Sequence, residues 1–321
     1  MSTPPSALSP HSDAAARFAA DVASSLSRTP RELPSQYLYD RLGSALFEAI
    51  CRLPWYRIAT IEQRLLETHG PAIHAHAGAL TSVVELGPGS GEKLLTLVQA
   101  RRVRELAVHL IDVSSEALEQ ATATLSTVPD LRVCTHQATY EAGLDALARD
   151  ADSGPQLVAF LGSNIGNFDA AGARALLASI RAASRPGDAL LLGTDLVKSA
   201  ESLQLAYDDP LGVTAAFNRN LLVRINRELG GDFDLDRFAH RAVWNEPASR
   251  VEMHLVSLTR QRVRIPGAGL DLTFEPGDTI WTESSYKYRA DELGPRLADV
   301  GYVLVDQWTD DSFALTLARA V

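Results

Sequence analysis

The strongest constraint on the fold is an apolar run that passes directly into a glycine-rich turn and then a helix. Residues 80–86 form the run, Glu85-Leu-Gly-Pro-Gly-Ser-Gly91 the turn, and 92–101 carry helical spacing. A short continuous apolar run without alternation suits a strand buried on both faces. Such a strand needs parallel neighbours covered by helices, and the following chain supplies them. Strands are predicted at 107–111 (closing at Asp112), 131–135, 157–161 and 189–192. Helices are predicted from Ser114/Ser115 (with Glu116 in the first turn), over 140–149 and over 170–184. The rhythm predicts a doubly wound α/β sheet.

The flanking chain breaks that rhythm. Residues 13–29 and 60–76 read as helices, and 37–56 combine a helix around 44–53 with a dense aromatic border. Residues 198–287 hold a helical part (200–228) and alternating segments at 250–265, 270–274 and 279–288, which suit an antiparallel sheet. A helix at 290–300 and a strand pair at 302–309 and 313–321 close the chain. The expected organisation is a mobile arm (1–12), a nucleotide-type domain (60–197 plus 288–321) and a second α+β lobe (13–59 plus 198–287) that binds substrate. A chain of 321 residues is long enough for two lobes.

Composition narrows the partners. The 30 Lys and Arg against 40 Asp and Glu leave a net charge of −10, and no basic stretch with interleaved aromatics offsets it. That field repels a polyanion, so a small molecule is expected and nucleic acid is not. Cys51 and Cys134 provide neither a disulfide framework nor a thiolate metal site. His74 and His76, one residue apart, point to different sides of a helix and read as surface residues, so no metal is expected. No apolar run approaches membrane-spanning length and the Ser/Pro-rich start lacks a signal pattern, so a cytoplasmic monomer with no membrane partner is expected.

The turn itself has a chemical logic. Glycines let a ligand approach the backbone amides and the helix N-terminus. A dinucleotide fingerprint wants another glycine where this chain has Glu92, and an acid there sits badly beside a pyrophosphate. A cofactor without phosphates and with a sulfonium cation fits better. Asp112, at the end of the next strand, is placed to accept from ribose hydroxyls. The bland alternatives are a tight turn without ligand and a simple helix cap.

The pattern E-x-G-x-G-x-G followed by the second-strand acid resembles the class I S-adenosylmethionine (SAM)-dependent methyltransferases, whose Rossmann-like fold it implies. Several motifs narrow the resemblance. They include Leu33-Pro-Ser-Gln-Tyr-Leu-Tyr-Asp40, Arg52-Leu-Pro-Trp-Tyr56, Phe160-Leu-Gly-Ser-Asn-Ile-Gly-Asn167, Leu192-Gly-Thr-Asp-Leu-Val-Lys198, Gly212-Val-Thr-Ala-Ala-Phe-Asn-Arg-Asn220 and Thr282-Glu-Ser-Ser-Tyr-Lys287. With Tyr207-Asp-Asp209, these are similar to the histidine-specific methyltransferase family, from about Leu33 to the C-terminus.

The resemblance implies SAM-dependent Nα-methylation of histidine, continued to the trimethyl product hercynine as in ergothioneine biosynthesis. It implies that Gly87, Gly89, Lys93, Asp112, Gly162 and Ser163 line the SAM site. Thr139-Tyr140 stands where the family often has an acid before an aromatic near the adenine. Asn167 and Tyr207 would hold the substrate carboxylate, and Tyr39 and Tyr56 would border the amine. Glu283 and Ser285 would read the imidazole, with Met253 packed on the ring. Tyr39 is the candidate for orienting the departing amine proton. Trp55-Tyr-Arg-Ile-Ala-Thr60 replaces the family's usual Tyr-Tyr-Pro-Thr-Arg run, so the surroundings of Tyr56 differ.

Residue chemistry agrees with these roles without requiring them. In a strand Glu283 and Ser285 share a face, and a carboxylate with a hydroxyl at i and i+2 can engage both imidazole nitrogens. Glu283 could equally be solvated, Met253 plain core, and Tyr39 and Tyr56 packing aromatics. Tyr207-Asp-Asp209 and Asn218-Arg-Asn220 could be loop and capping chemistry. The rival functions are N-methylation of tryptophan or a modified histidine, a non-catalytic SAM-binding module, and an NAD-dependent oxidoreductase.

Overall fold

The computed structural model describes residues 10–101, 105–148, 154–310 and 312–321. In chain order the elements are α1 (Pro10–Leu26), β1 (Arg31–Glu32), α2 (Arg41–Cys51), α3 (Ile58–Ala77), β2 (Ser82–Leu86), α4 (Glu92–Gln99), β3 (Leu106–Asp112) and α5 (Ser115–Leu125). Then follow β4 (Leu131–Gln137), α6 (Tyr140–Ala148), β5 (Gln156–Phe160), α7 (Ala170–Ala183), β6 (Ala189–Asp195), α8 (Ala200–Tyr207) and α9 (Val213–Leu229). The last are β7 (Phe238–Asn245), β8 (Arg250–Ser257), β9 (Gln261–Ile265), β10 (Leu270–Phe274), β11 (Thr279–Tyr286), α10 (Ala290–Ala298), β12 (Tyr302–Asp310) and β13 (Phe313–Ala320). Most of the predicted arm lies outside the described residues; those from Pro10 to Ser12 are helical instead. The predicted end of α6 at Arg149 also lies outside them.

The chain divides into two compact units. One holds the described residues up to Ile50 with Gln204–Trp244 and Val251–Ser284; the other holds Cys51–Leu203, Asn245–Arg250 and Ser285–Val321.

The second unit is built on a seven-stranded sheet in the order β12-β13-β6-β5-β2-β3-β4. Its β2, β3, β4, β5 and β6 run parallel, while β13 is antiparallel to β6 and to β12. Every residue of β2 and β6 is buried, which is why both are written as unbroken rather than alternating runs. One face is covered by α6, α7 and α10, whose Leu144, Leu176, Ile180, Leu293 and Leu297 pack on Val84, Val158, Leu190 and Ala318. Each such fully buried Leu or Ile contributes about 1.5–3 kcal/mol. Ser114 and Asp169 start α5 and α7 by accepting from Ala117 N and Gly172 N.

In the first unit a sheet runs in the order β1-β11-β8-β7. Ser257 N donates to Asp278 O and Gly277 N to Ser257 O at the start of β11, the pattern of an antiparallel β8–β11 pair. The short β1, unforeseen from sequence, adds parallel to β11 through Arg31↔Ile280 and Glu32↔Trp281, so the sheet is not purely antiparallel. The alternating stretch at 250–265 is two strands, and β7 was not predicted. Similarly, 200–228 is two helices. The Asp209 carboxylate accepts from the backbone N of Leu211, Val213 and Thr214, ending one helix and capping the next. Among the described residues no helix is long and apolar enough to cross a membrane.

Candidate functional site

In the second unit the sheet order reverses between β2 and β5, the place where open α/β sheets hold ligands beyond the carboxyl ends of their strands. The eight residues expected to line the cofactor site all lie at those ends or just after them. Gly87, Gly89 and Lys93 follow β2, Asp112 ends β3, Thr139 and Tyr140 follow β4, and Gly162 and Ser163 follow β5.

Several contacts tie these loops together. Gly87 N donates to Ile111 O at 2.9 Å. A Cβ on Gly87 would stand 2.7 Å from the Tyr140 hydroxyl and 2.8 Å from Asn164 Nδ2. A Cβ on Gly162 would stand 3.1 Å from Lys93 Nζ. The Tyr140 ring meets Phe160 edge-on at 5.5 Å, and Thr139 is exposed. Ser163 sits at φ 56°, a left-handed conformation that a non-glycine residue keeps only where its surroundings demand it. Its hydroxyl accepts from Asp195 N at 2.9 Å.

Two carboxyls not foreseen as site residues set the electrostatics. Glu62 on α3 is fully buried; its oxygens accept from Gly162 N at 2.9 Å and pair with Lys93 Nζ at 2.6 Å. Burial acts against the Lys93 charge, but Glu62 outweighs it and holds the lysine pKa above its ordinary value. The signal was present in the sequence: Glu62 falls between Ile58 and Leu66 on the buried stripe of its helix. Glu85 on β2 is 2 % exposed and its Oε2 has no hydrogen-bond partner. Burial pushes its pKa up to about 8; Lys93 opposes that shift, while Glu62 and Asp112 add to it. Burial also raises the Asp112 pKa, against the Ser114 N–H that donates to its Oδ1 at 2.8 Å.

This set of residues suits SAM. Glu85 presents an orphaned acceptor suited to a cationic ligand, and Asp112 a carboxylate suited to ribose hydroxyls. A Cβ on Gly89 would meet nothing within 4 Å, so the turn is open there. The Lys93 charge is committed to Glu62, and Glu92 occupies the first turn of α4, both poor provision for a pyrophosphate.

The same unit holds Tyr56, Asn167 and Ser285. Tyr56 is 7 % exposed, and Asn167 ends a 3-10 turn over Asn164–Asn167. Ser285 Oγ accepts from Lys287 Nζ at 2.8 Å. Lys287 Nζ lies 2.9 Å from Asp195 Oδ2 without hydrogen-bond alignment, and Lys198 Nζ reaches Asp195 Oδ1 at 2.5 Å. All three charged residues sit inside motifs visible in the sequence, yet none was singled out there.

Tyr39, Tyr207, Met253 and Glu283 belong to the first unit. Tyr39 packs edge-on against Phe47 and Phe217, at 5.4 and 5.5 Å between ring centroids. The Tyr207 carbonyl is 2.8 Å from His240 Nε2 and therefore takes its proton, which leaves Nδ1 to accept from Asn218 Nδ2 at 2.9 Å. His240 is neutral in that arrangement, and burial lowers its pKa. Asn218 and Asn220, 0 % and 1 % exposed within α9, are internal ties rather than caps; Asn220 donates to Asp40 next to Tyr39. Met253 is 2 % exposed and its carbonyl accepts from Thr282 Oγ1.

Along β11 the buried positions change phase, from Ile280 and Thr282 on one face to Glu283 and Ser285 on the other. A carboxylate and a hydroxyl are thus buried on the face that strand alternation assigns them. His74 departs from its predicted surface position. It is 7 % exposed, its Nε2 is 2.7 Å from Leu97 O, and burial lowers its pKa, whereas His76 pairs with Asp306.

Residues 18–320 match the family model described as "Histidine-specific methyltransferase, SAM-dependent". The chain is 42% identical over 303 residues to the histidine N-alpha-methyltransferase of Mycolicibacterium smegmatis and 41% identical to that of Mycobacterium tuberculosis, covering 93% of both chains in each case. It is 27% identical to the L-tryptophan methyltransferase of Psilocybe serbica, covering 88% of this chain and 86% of that one.

Proposed function

Because the chain belongs to the SAM-dependent histidine-specific methyltransferase family, we propose that it methylates the α-amino group of free L-histidine and continues to the trimethylated product, hercynine. The protein is a class I methyltransferase by fold and a SAM-dependent amino-acid N-methyltransferase by family. The observation that most favours histidine is the burial of Glu283 and Ser285, 9 % and 6 % exposed on one strand face. An imidazole offers two ring nitrogens to that carboxylate and hydroxyl, contacts worth about 1–3 kcal/mol each that an apolar side chain cannot make. Tryptophan, the substrate named for a more distant relative, is disfavoured for that reason.

The roles follow from chemistry. SAM supplies a methyl group already activated on a sulfonium. Gly87, Gly89, Lys93, Asp112, Thr139, Tyr140, Gly162 and Ser163 bind it in the unit carrying the seven-stranded sheet. Asn167 and Tyr207 hold the substrate carboxylate as neutral donors. Tyr56 and Tyr39 border the amine, and Met253 packs on the imidazole that Glu283 and Ser285 read. The amine of a free amino acid is protonated at neutral pH, so a proton must leave first; Tyr39 orients that departure. Alignment of amine and methyl carbon supplies up to roughly 7–11 kcal/mol of the barrier. The methylated intermediates keep the same carboxylate and imidazole, so each can rebind. The enzyme acts on this small molecule as a cytoplasmic monomer, without a nucleic-acid partner.

The direct test is incubation with SAM and a mixture of amino acids, followed by mass spectrometry. Histidine should gain one, two and three methyl groups; methylation of tryptophan instead would overturn the assignment. Glu283→Ala should cut the preference for histidine at least about ten-fold, the worth of one charge-assisted hydrogen bond. Tyr39→Phe should move the pH profile of turnover.

A further inference from the structure

Methyl transfer changes the charge of the cofactor. SAM arrives with a sulfonium cation and leaves as a neutral thioether, S-adenosylhomocysteine (SAH). A group that responds to that charge would bind donor and product differently. Glu85 is placed to be such a group. It stands one residue from the end of β2, at the foot of the glycine turn, and is 2 % exposed. Its Oε2 is buried without a hydrogen-bond partner.

The ionisable groups around it, among the described residues, are Lys93 on α4, Glu62 on α3, Asp112 on β3 and Tyr140 on α6. Of these only Lys93 is a cation, and its ammonium pairs with Glu62 at 2.6 Å. Glu62 and Asp112 add negative charge, and Tyr140 keeps its proton because burial raises its pKa. The fold by itself thus leaves a Glu85 carboxylate uncompensated, and burial above all pushes its pKa up to about 8.

We propose that Glu85 senses the charge of the cofactor: it is neutral in the free enzyme, releases its proton to solvent when SAM brings a cation, and takes one back when methyl transfer leaves SAH. The carboxylate so formed attracts the donor and not the product, so its ionisation favours SAM over SAH. This rests on the reading that the cofactor binds at the glycine turn. Glu85 makes and breaks no bond of the substrate. Successive methylations of one amine need fresh cofactor each time, and a grip that loosens with the lost charge favours that exchange.

The test is calorimetric titration with SAM, and separately with SAH, at pH 7 in buffers that differ in heat of ionisation. Glu85→Gln, neutral at every pH, is the reference; a proton exchanged by the ligand's own amine appears in both proteins and cancels in their difference. Per SAM bound, wild type should release about 0.9 proton more than the variant, the share that a group of pKa about 8 holds at pH 7. With SAH the excess should be below about 0.3. Binding that releases a proton strengthens as pH rises, so wild-type affinity for SAM relative to Glu85→Gln should grow at least about ten-fold from pH 6 to pH 8.5. The same ratio for SAH should stay within about three-fold.

Equal proton release by the two proteins, or equal release with SAM and SAH, overturns the proposal. Should the variant not fold, wild type alone decides: its preference for SAM over SAH should rise with pH, and a flat preference from pH 6 to pH 8.5 overturns the proposal. If Gly89→Ala and Glu85→Gln both leave SAM affinity intact at every pH, the cofactor does not bind at the glycine turn, which is a separate failure.

Discussion

A carboxyl buried away from water either finds a cation or keeps its proton. Glu62 does the first and Glu85 the second, although both lie close enough to Lys93 to feel its charge. For Glu85 the ordinary pKa of 4.5 rises to about 8 on folding. Between those values the folded protein holds a proton that the unfolded chain has released, so stability falls as pH rises through that window, by up to about 1.4 kcal/mol per unit. Glu85→Gln keeps the neutral form at every pH. Thermal melts without ligand should therefore show the variant level with wild type near pH 4.5 and clearly more stable near pH 8. A constant difference across that range would mean that Glu85 is ionised in the fold. Glu85 was visible in the sequence as the acid of its motif, but its protonation was not. That depends first on its burial in the folded sheet, then on Lys93, which opposes it, and on Glu62 and Asp112, which α3 and β3 bring near it.

Elements with strong periodicity and short connections were readable in advance, and the α/β rhythm from β2 to β6 fell within a few residues of prediction. Elements that depend on tertiary partners were not. The two-residue β1 exists because β11 offers it a ladder, and the break between α8 and α9 exists because one carboxylate collects three backbone N–H groups. The glycine turn combines both cases, since its sequence announces a ligand turn but not which glycine serves which purpose. Gly91 has φ 78°, and a Cβ there would lie 2.9 Å from Ala121 Cα; Gly89 has φ 54° with nothing within 4 Å of a Cβ. Gly91→Ala must therefore displace α5 and should cost about 2–4 kcal/mol of stability. Gly89→Ala should cost only the backbone term, about 1–2 kcal/mol, while losing at least about ten-fold in SAM affinity. Denaturant melts and calorimetric titration separate the two. Equal stability losses would mean that the openness above Gly89 has no functional weight.

The chain passes between its two units at Ile50/Cys51, Leu203/Gln204, Trp244/Asn245, Arg250/Val251 and Ser284/Ser285, so neither unit is a contiguous segment. A unit assembled from distant segments must close long loops before their contacts repay the entropy. The last strand bears the heaviest consequence. Between Phe313 and Arg319, β13 fills the place between β12 and β6, in register from Phe313↔Asp195 to Arg319↔Ala189. Its neighbour β6 is buried at every residue and was never written as an edge, since it carries no exposed lysine, proline or bulge to discourage pairing with another chain. Removing residues 313–321 should therefore do more than trim a terminus. It should leave the apolar β6 as an open edge and strand β12 without its partner. The truncated chain should be recovered as aggregate under conditions where the full chain is monodisperse, as size-exclusion chromatography with light scattering would report. A truncated protein that stayed monodisperse and kept a cooperative melt would show that the five parallel strands suffice as a folding core. The hairpin would then be a late addition to the sheet.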